Sequence, residues 1–485
     1  MKLTSVTTTF PEKVKRVVTA ETPFVPDVGI ENEVVNLYPE MTFQTFEGFG
    51  GAFTDSAGYV YSLMNETQKK EMIHRYFDKD DLNYQFGRIH LDSCDFSLEQ
   101  YEAGAVTGGV PQATNEAGAW AADTVGEHVE AVTGAAAGQS PQTGAGQITA
   151  FSLERPMRYV LPLLRDIERE TGRAIPLAVT PWSPPAAWKT NGERSHGGHL
   201  KEEYREAWAQ YICRYIEELR ALGLTVNRMS VQNEAAAIQT WDSCLYSPEE
   251  EKEFLRDYLY PALAAHGLDD IEVYIWDHNK ERAFERACAE IDEVTTDMIA
   301  GVAVHWYSGD HFEALDLIRR KFPDKKIIFS EACIEYYKFD ADDCLANAQK
   351  YAHDIIGDLN GGMSAFYDWN LLLDETGGPN HVGNLCDAPY LYDTKNGVLM
   401  ERNTLEYIRH FSHFIRPGAV RIGFSRYTDE LDVTAFRNPD GSLVCVILNR
   451  GMQARNCVIR LHGETASVVV EGGAIMTAVI EDLYL

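Results

Sequence analysis

Eight short apolar runs, each followed by a loop and most by a helical pattern, recur between residues 46 and 370, and this alternation constrains the fold more than any other feature of the chain. The runs are FEGFGGAF (46–53), YQFGRIHL (84–91), IPLAVTPWS (175–183), TVNRMSVQNE (225–234), IEVYIWDHN (271–279), GVAVHWY (301–307), KKIIFSEAC (325–333) and MSAFYDWN (363–370). Between them lie amphipathic stretches such as EEYREAWAQYICRYIEELRALG (202–223), apolar at helical spacing and stopped by Gly223. A strand–helix–strand rhythm returns each strand parallel to the last. Eight such units predict an α/β fold of the closed (β/α)8 TIM-barrel type.

The last part of the chain changes character. After the helical pattern NTLEYIRHFSHFI (403–415), short β-prone runs are broken by NPDGS, NRG and EGG, which is hairpin punctuation. The first 45 residues are also β-leaning, and chain termini often meet. We therefore expect a small antiparallel β-domain in 417–485, with N-terminal strands in 1–45 pairing with it, and the barrel over 46–416. Residues 103–150 are rich in Ala, Gly, Thr and Gln and contain no Lys or Arg. Such composition seldom packs a core. Following the second barrel run, the segment is expected as a flexible insertion on the catalytic face, either a lid or a solvated loop without a role.

Composition narrows the function. At 485 residues and 45% hydrophobic, the chain can bury a large core. Its net charge of −31 argues against nucleic acid or an anionic membrane as partner and is compatible with a neutral ligand. No run reaches the length of a membrane span. The N-terminal MKLTSVTTTFPEKVKRVVTAETPF has no apolar signal region. Nine scattered cysteines form neither a disulfide framework nor a zinc-ligand spacing. Together these favour a cytoplasmic location, although a secreted chain trimmed of its leader would read the same.

Active sites of such barrels gather at the ends of the strands. Asn233 and Glu234 close the fourth run and Glu331 sits at the end of the seventh, so both carboxylates are expected to face one mouth from nearly opposite walls. Paired carboxylates are the apparatus of glycoside hydrolysis: one protonates the departing oxygen and the other attacks or stabilises the anomeric carbon. The plainer alternative is two surface acids among the 74 in the chain.

The motifs EGFGGAFTDSAG, RIHLDSCDFS, TPWSPPAAWKTNG, VAVHWY, FSEAC and DWNLLLDETGGPNHVGN, taken in order, resemble glycoside hydrolase family 30, the glucosylceramidase-like β-glycosidases. The likeness runs from about residue 40 to the end, broken mainly at 103–150. It implies a (β/α)8 TIM barrel with an associated antiparallel β-sandwich domain formed by both chain ends, and a retaining mechanism with Glu234 as acid/base and Glu331 as nucleophile. By the same resemblance, Asn233 would bond the sugar 2-hydroxyl, Asp95 and Trp369 would hold the outer hydroxyls and ring of a terminal sugar, and Trp182 would stack on its apolar face. Tyr307 would bond the nucleophile with His305 close by, Asn384 would line the pocket, and Arg88 would orient a catalytic carboxylate and keep it ionised. The two tryptophans read equally well as core aromatics, and Arg88 and His305 as buried structural groups.

One departure stands out. The family commonly follows its acid/base with proline, whereas this chain has Ala235, which leaves Glu234 chemically intact but less firmly held. No metal or organic cofactor is implied. The expected substrate is a small glycoside or oligosaccharide with a terminal β-linked sugar, glucose first. β-1,6-Glucanase, β-xylosidase and β-fucosidase are the alternatives of the same family, and a catalytically silent carbohydrate-binding protein is the alternative of another class.

Overall fold

All eight apolar runs become strands of one closed parallel barrel in the computed structural model, which describes residues 1–107 and 146–481. In chain order the barrel strands are Gly48–Ala52, Phe86–Leu91, Leu177–Pro181, Val226–Ser230, Glu272–Asn279, Gly301–His305, Lys326–Glu331 and Met363–Asn370, and each pairs with its chain neighbours until the eighth meets the first. These strands are buried along nearly their whole length, as a parallel sheet covered by helices requires. The barrel interior is filled by Phe86, Ala178, Tyr274, Ala303, Ile328, Ala365 and Tyr367. Neighbouring backbones come close: a Cβ on Gly50 would lie 2.2 Å from the Phe86 carbonyl oxygen, so the FGGA run has no room for a side chain there.

The helices follow their sequence signals. Residues 202–223 form a short 3-10 turn, Glu202–Tyr204, and the α-helix Arg205–Ala221, and the chain leaves it through Gly223 at φ +78°. Asn65 and Ser247 each close a reciprocal capping box with Gln68 and Glu250, fixing where the following helices begin.

Both chain ends meet in one ten-stranded sheet. Its order runs Arg16–Pro23, Lys2–Thr9, Ile475–Glu481, Leu443–Asn449, Leu431–Arg437, Val420–Arg426, Val34–Thr45, Arg455–Leu461, Glu464–Val470, Val25–Pro26. Side chains from its two halves, among them Leu3, Leu37, Ile447, Ile459 and Ile480, share a single apolar core. The pairing is antiparallel except between Val34–Thr45 and Arg455–Leu461, which run parallel. At the base of the Ala-Gly-rich insertion, Gly104–Val106 and Ile148–Phe151 form a small antiparallel ribbon; the expected lid or solvated loop itself falls at 108–145, outside the described residues. Among the described residues, no helix is long and apolar enough to cross a membrane.

Barrel and sandwich are joined through polar contacts under the helix Asn403–Ser412. Tyr407 Oη donates to the Gly473 carbonyl at 2.6 Å, and His410 lies buried between Thr477 Oγ1 and Thr8 Oγ1, both at 2.8 Å from its ring nitrogens. Burial, helped by the positive charges of Arg409 and His413, lowers the His410 pKa to about 3. A histidine whose folded pKa is depressed stabilises the fold above its unfolded value near 6.5 and loses that contribution as the pH falls toward 3, up to roughly 5 kcal/mol at the lower limit. We expect His410→Gln to melt below the wild type at pH 7.5, by about 1 kcal/mol for the imperfectly replaced hydrogen bonds. The gap should close or reverse by pH 4.5 in thermal melts, because glutamine carries no proton penalty.

Candidate active site

The barrel presents its chemistry at the C-terminal ends of its strands. Glu331 is the last residue of the seventh barrel strand. Arg88, on the second, donates through Nη1 to Glu331 Oε2 at 2.6 Å, and Tyr307 Oη donates to Glu331 Oε1 at 2.9 Å. Both carboxylate oxygens are therefore held. Arg88 spends its remaining donors on Asn233 Oδ1 (2.8 Å), Asp277 Oδ2 (3.1 Å) and Thr180 Oγ1 (3.2 Å). A planar, permanently charged fork suits such simultaneous contacts, and here it is 1% exposed.

Glu234 sits differently from the sequence expectation. The fourth barrel strand ends at Ser230, so Glu234 lies four residues beyond it, in a turn. Its backbone is left-handed (φ +48°) and is pinned by its own N–H donating to the Asp277 carbonyl at 2.8 Å, while Asn233 N–H donates to the Pro181 carbonyl at 2.9 Å. Gln239 Nε2 donates to Glu234 Oε2 at 3.2 Å, and His305 Nδ1 meets Oε1 at 3.3 Å. Ala235 is wholly buried in the main apolar core, so packing holds the turn where proline would have restricted it.

Asp277 completes the connection between the two glutamates. It accepts from Arg88, from His305 Nε2 at 3.1 Å, from Ser330 Oγ at 2.5 Å and from Ser230 Oγ. Five groups thus form a chain of alternating sign: Glu234, His305, Asp277, Arg88, Glu331. A strand irregularity between Trp276 and His278 makes this possible, with Trp276 and Asp277 both at positive φ (+73° and +44°). The extra residue aims Asp277 at Arg88 and His305 while bringing His278 Nδ1 within 3.6 Å of Glu234 Oε1.

The electrostatics follow from this order. Burial opposes ionisation, but opposite neighbours win at Arg88, Asp277, His305 and Glu234. Arg88 and His305 hold Asp277 far below the usual carboxylate range. His305 is raised to about 9 against its burial by Glu331, Asp277 and Glu234. Glu234 is lowered to about 2, again against burial, by its hydrogen bond to His305 and by the neighbouring imidazoles.

Asp95 goes the other way: burial first, then the charge of Glu331, pushes its carboxyl well up, while Asn384 Nδ2 donates to its Oδ2 at 3.0 Å. Its Oδ1 is buried with no protein partner, an acceptor suited to a ligand hydroxyl. Trp182 and Trp369 stack on one another at 5.5 Å and 21°, and the Arg88 guanidinium lies 4.8 Å from the Trp182 ring. They are 1% and 2% exposed, so the expected open stacking face of Trp182 is covered by its neighbour and the guanidinium.

The structure thus brings together Arg88, Asn233, Glu234, His305, Tyr307 and Glu331, with Asp95 and Asn384 as a second pair. Sequence reading missed Asp277, His278, Gln239, Ser230 and Ser330. Asp277 and His278 stand in WDHN at the end of the fifth apolar run, the same strand-end signal that marked the glutamates.

Two family patterns cover the chain. One described as the glycosyl hydrolase family 30 TIM-barrel domain matches residues 46–108 and 142–415, and one described as the glycosyl hydrolase family 30 beta sandwich domain matches 418–478. The lysosomal acid glucosylceramidase of Mus musculus is 29% identical over 440 residues, 87% of this chain and 78% of that protein. An endo-1,6-beta-D-glucanase of Neurospora crassa is 24% identical over 459 residues, 90% and 85% of the two chains. The crystal structure of SrfJ from Salmonella typhimurium superposes with a TM-score of 0.86 at 35% identity, covering 99% of this chain and 100% of that one.

Removing the central cation should be costly. Arg88→Met leaves Asp277 and Glu331 buried without their counter-charge, and we expect a loss of about 3–5 kcal/mol in urea unfolding. The double variant Arg88→Met/Asp277→Asn should recover part of that loss, because one stranded charge goes with the cation.

Proposed function

The chain belongs to glycosyl hydrolase family 30 and is a glycoside hydrolase acting on carbohydrate, and from its site we propose a retaining β-glycosidase that removes a terminal β-linked glucose by double displacement. The observation that carries this reading is the alternating chain, which gives two identical side chains different environments. Glu331 is gripped through both oxygens by Arg88 and Tyr307, a fixed carboxylate suited to attack on an anomeric carbon. Glu234 instead shares a proton with an imidazole, as a group that gives and takes protons must.

The proposed sequence is as follows. Glu331 forms a bond to the anomeric carbon as the glycosidic C–O bond breaks, and the departing oxygen takes the proton held between Glu234 and His305. Glu234 then accepts a proton from water, whose oxygen attacks the same carbon, and the Glu331–sugar ester bond breaks. Sugar is released with overall retention, and the proton returns to the Glu234–His305 pair. Asn233, anchored by Arg88, faces the 2-hydroxyl, and Asp95 with Asn384 takes the outer hydroxyls through the free Oδ1.

Glucose as the sugar draws support from the glucosylceramidase relatives. The likeness to an endo-1,6-β-glucanase over 90% of the chain favours a second reading, β-1,6-glucan as polymer substrate. Turnover of an aryl β-glucoside against a β-1,6-glucan separates a terminal-sugar pocket from a polymer cleft.

Incubation with a 2-deoxy-2-fluoro-β-glucoside bearing a good leaving group, followed by peptide mass spectrometry, is expected to place the adduct on Glu331. An adduct elsewhere, or none from any 2-fluoro glycoside that is turned over, would overturn the assignment. Glu234→Ala should lose at least about a hundredfold in kcat on alkyl glucosides. It should keep far more of its rate on dinitrophenyl glucoside, whose leaving group needs no proton.

A further inference from the structure

His278 has no part in the reaction proposed above, yet it is aimed into the site. Its Nδ1 is buried and has no hydrogen-bond partner, an uncommon state for a ring nitrogen inside a polar cluster. It lies 3.6 Å from Glu234 Oε1, which lies 3.3 Å from His305 Nδ1, and the three atoms all fall within 4.8 Å of one another. Tetrahedral zinc with bonds of about 2.0–2.1 Å places its ligand atoms roughly 3.3–3.4 Å apart. Two of the three separations here are already close to that edge length.

The chemistry of the set agrees with the geometry. Two imidazole nitrogens and one carboxylate oxygen are the three-ligand set of open zinc sites, which keep a fourth position for water. His305 also carries the outer partner that zinc-binding histidines have, since Asp277 takes its Nε2 at 3.1 Å and leaves Nδ1 directed at the cluster. Imidazole ligands select zinc and its neighbours over magnesium and calcium, which prefer all-oxygen shells.

We propose that Glu234, His278 and His305 form an inhibitory binding site for a divalent transition-metal ion, with Zn2+ as the matching ion. Binding displaces the proton shared between His305 Nδ1 and Glu234 Oε1, which leaves to solvent, and puts the metal on the oxygen that would otherwise protonate the leaving group. The site is thus a brake on turnover rather than a seat for a cofactor. Its inhibitory effect rests on Glu234 being the acid/base; the binding itself does not.

The test uses the whole protein freed of metal by chelation, with Co2+ as a spectroscopic stand-in for Zn2+. We expect one Co2+ per chain, with visible d–d bands of a low-coordinate site and no sulfur-to-cobalt band in the near ultraviolet, and full displacement by Zn2+. His278→Asn and Glu234→Gln should each weaken Co2+ binding at least about tenfold. Should His278→Asn fold poorly, His278→Gln with a circular-dichroism control answers the same question. Zn2+, but not Mg2+, should raise the melting temperature of the wild type and leave that of His278→Asn unmoved. In turnover assays Zn2+ should inhibit at least tenfold, reversed by chelator, with the inhibition lost in His278→Asn relative to its own metal-free rate. Spectra unchanged by the His278 substitutions, or a sulfur-to-cobalt band pointing to the exposed Cys288, would overturn the proposal. A protein that binds Co2+ as described but hydrolyses no glycoside would sink the functional reading while leaving the metal site standing.

Discussion

The Arg88 guanidinium is the group on which the rest of the site depends. It lies beneath the barrel mouth, almost fully buried, and binds Glu331, Asp277 and Asn233 at once. Burying one cation costs several kcal/mol, and burying an anion costs as much again. An alternating row spreads those costs, because each charge is flanked by its opposite and further satisfied by hydroxyls from Thr180, Ser230 and Ser330. Such a row favours one geometry strongly: shifting any member strands the next. The fold supplies that geometry by setting Arg88 within the second barrel strand and the other members at, near or just beyond the C-terminal ends of four other strands.

Local backbone strain is also present in the same place. Glu234, Trp276 and Asp277 all adopt left-handed conformations, which cost about 1–3 kcal/mol each for residues other than glycine. They persist because the surroundings over-determine them. The Glu234 N–H is tied to the Asp277 carbonyl, the Trp276 N–H to Glu251 Oε1, and the Trp276 indole to the Asn279 carbonyl. Glu251 is itself held by the buried Arg286. The strain is therefore anchored from the outer helix layer, which lets the inner face present side chains that a regular strand would turn away.

How much of this could be read beforehand follows from the same physics. The eight strands were legible because each is a continuous apolar run bounded by loops, and the sandwich because hairpin signals punctuate its strands. Glu331 was legible as the last residue of such a run. Glu234 was found as a residue but placed on the strand itself, since nothing in VQNEAAA marks where pairing stops and a left-handed turn begins. Asp277 and His278 escaped notice because simple alternation turns consecutive residues to opposite faces, and only the bulge brings both into the site. Two apolar rings also look alike in sequence whether they face a ligand or each other, so the mutual burial of Trp182 and Trp369 had to come from coordinates.

The two glutamates finally differ in what surrounds them rather than in what they are. Glu331 meets a cation that cannot release its proton and a phenol whose own pKa is pushed well up by burial. Both of its oxygens are thereby held, and so is its direction. Glu234 meets an imidazole, a partner that can pass a proton across a single hydrogen bond. At rest that proton sits on His305, because Glu331 and Asp277 both favour the imidazolium. A basic leaving oxygen arriving beside Glu234 changes the balance, since it competes for the same proton with a growing negative charge. The acid is then best described as the Glu234–His305 pair: the proton that Glu234 takes from water passes back to His305 Nδ1, and the ionised Asp277 at Nε2 stabilises the imidazolium so formed.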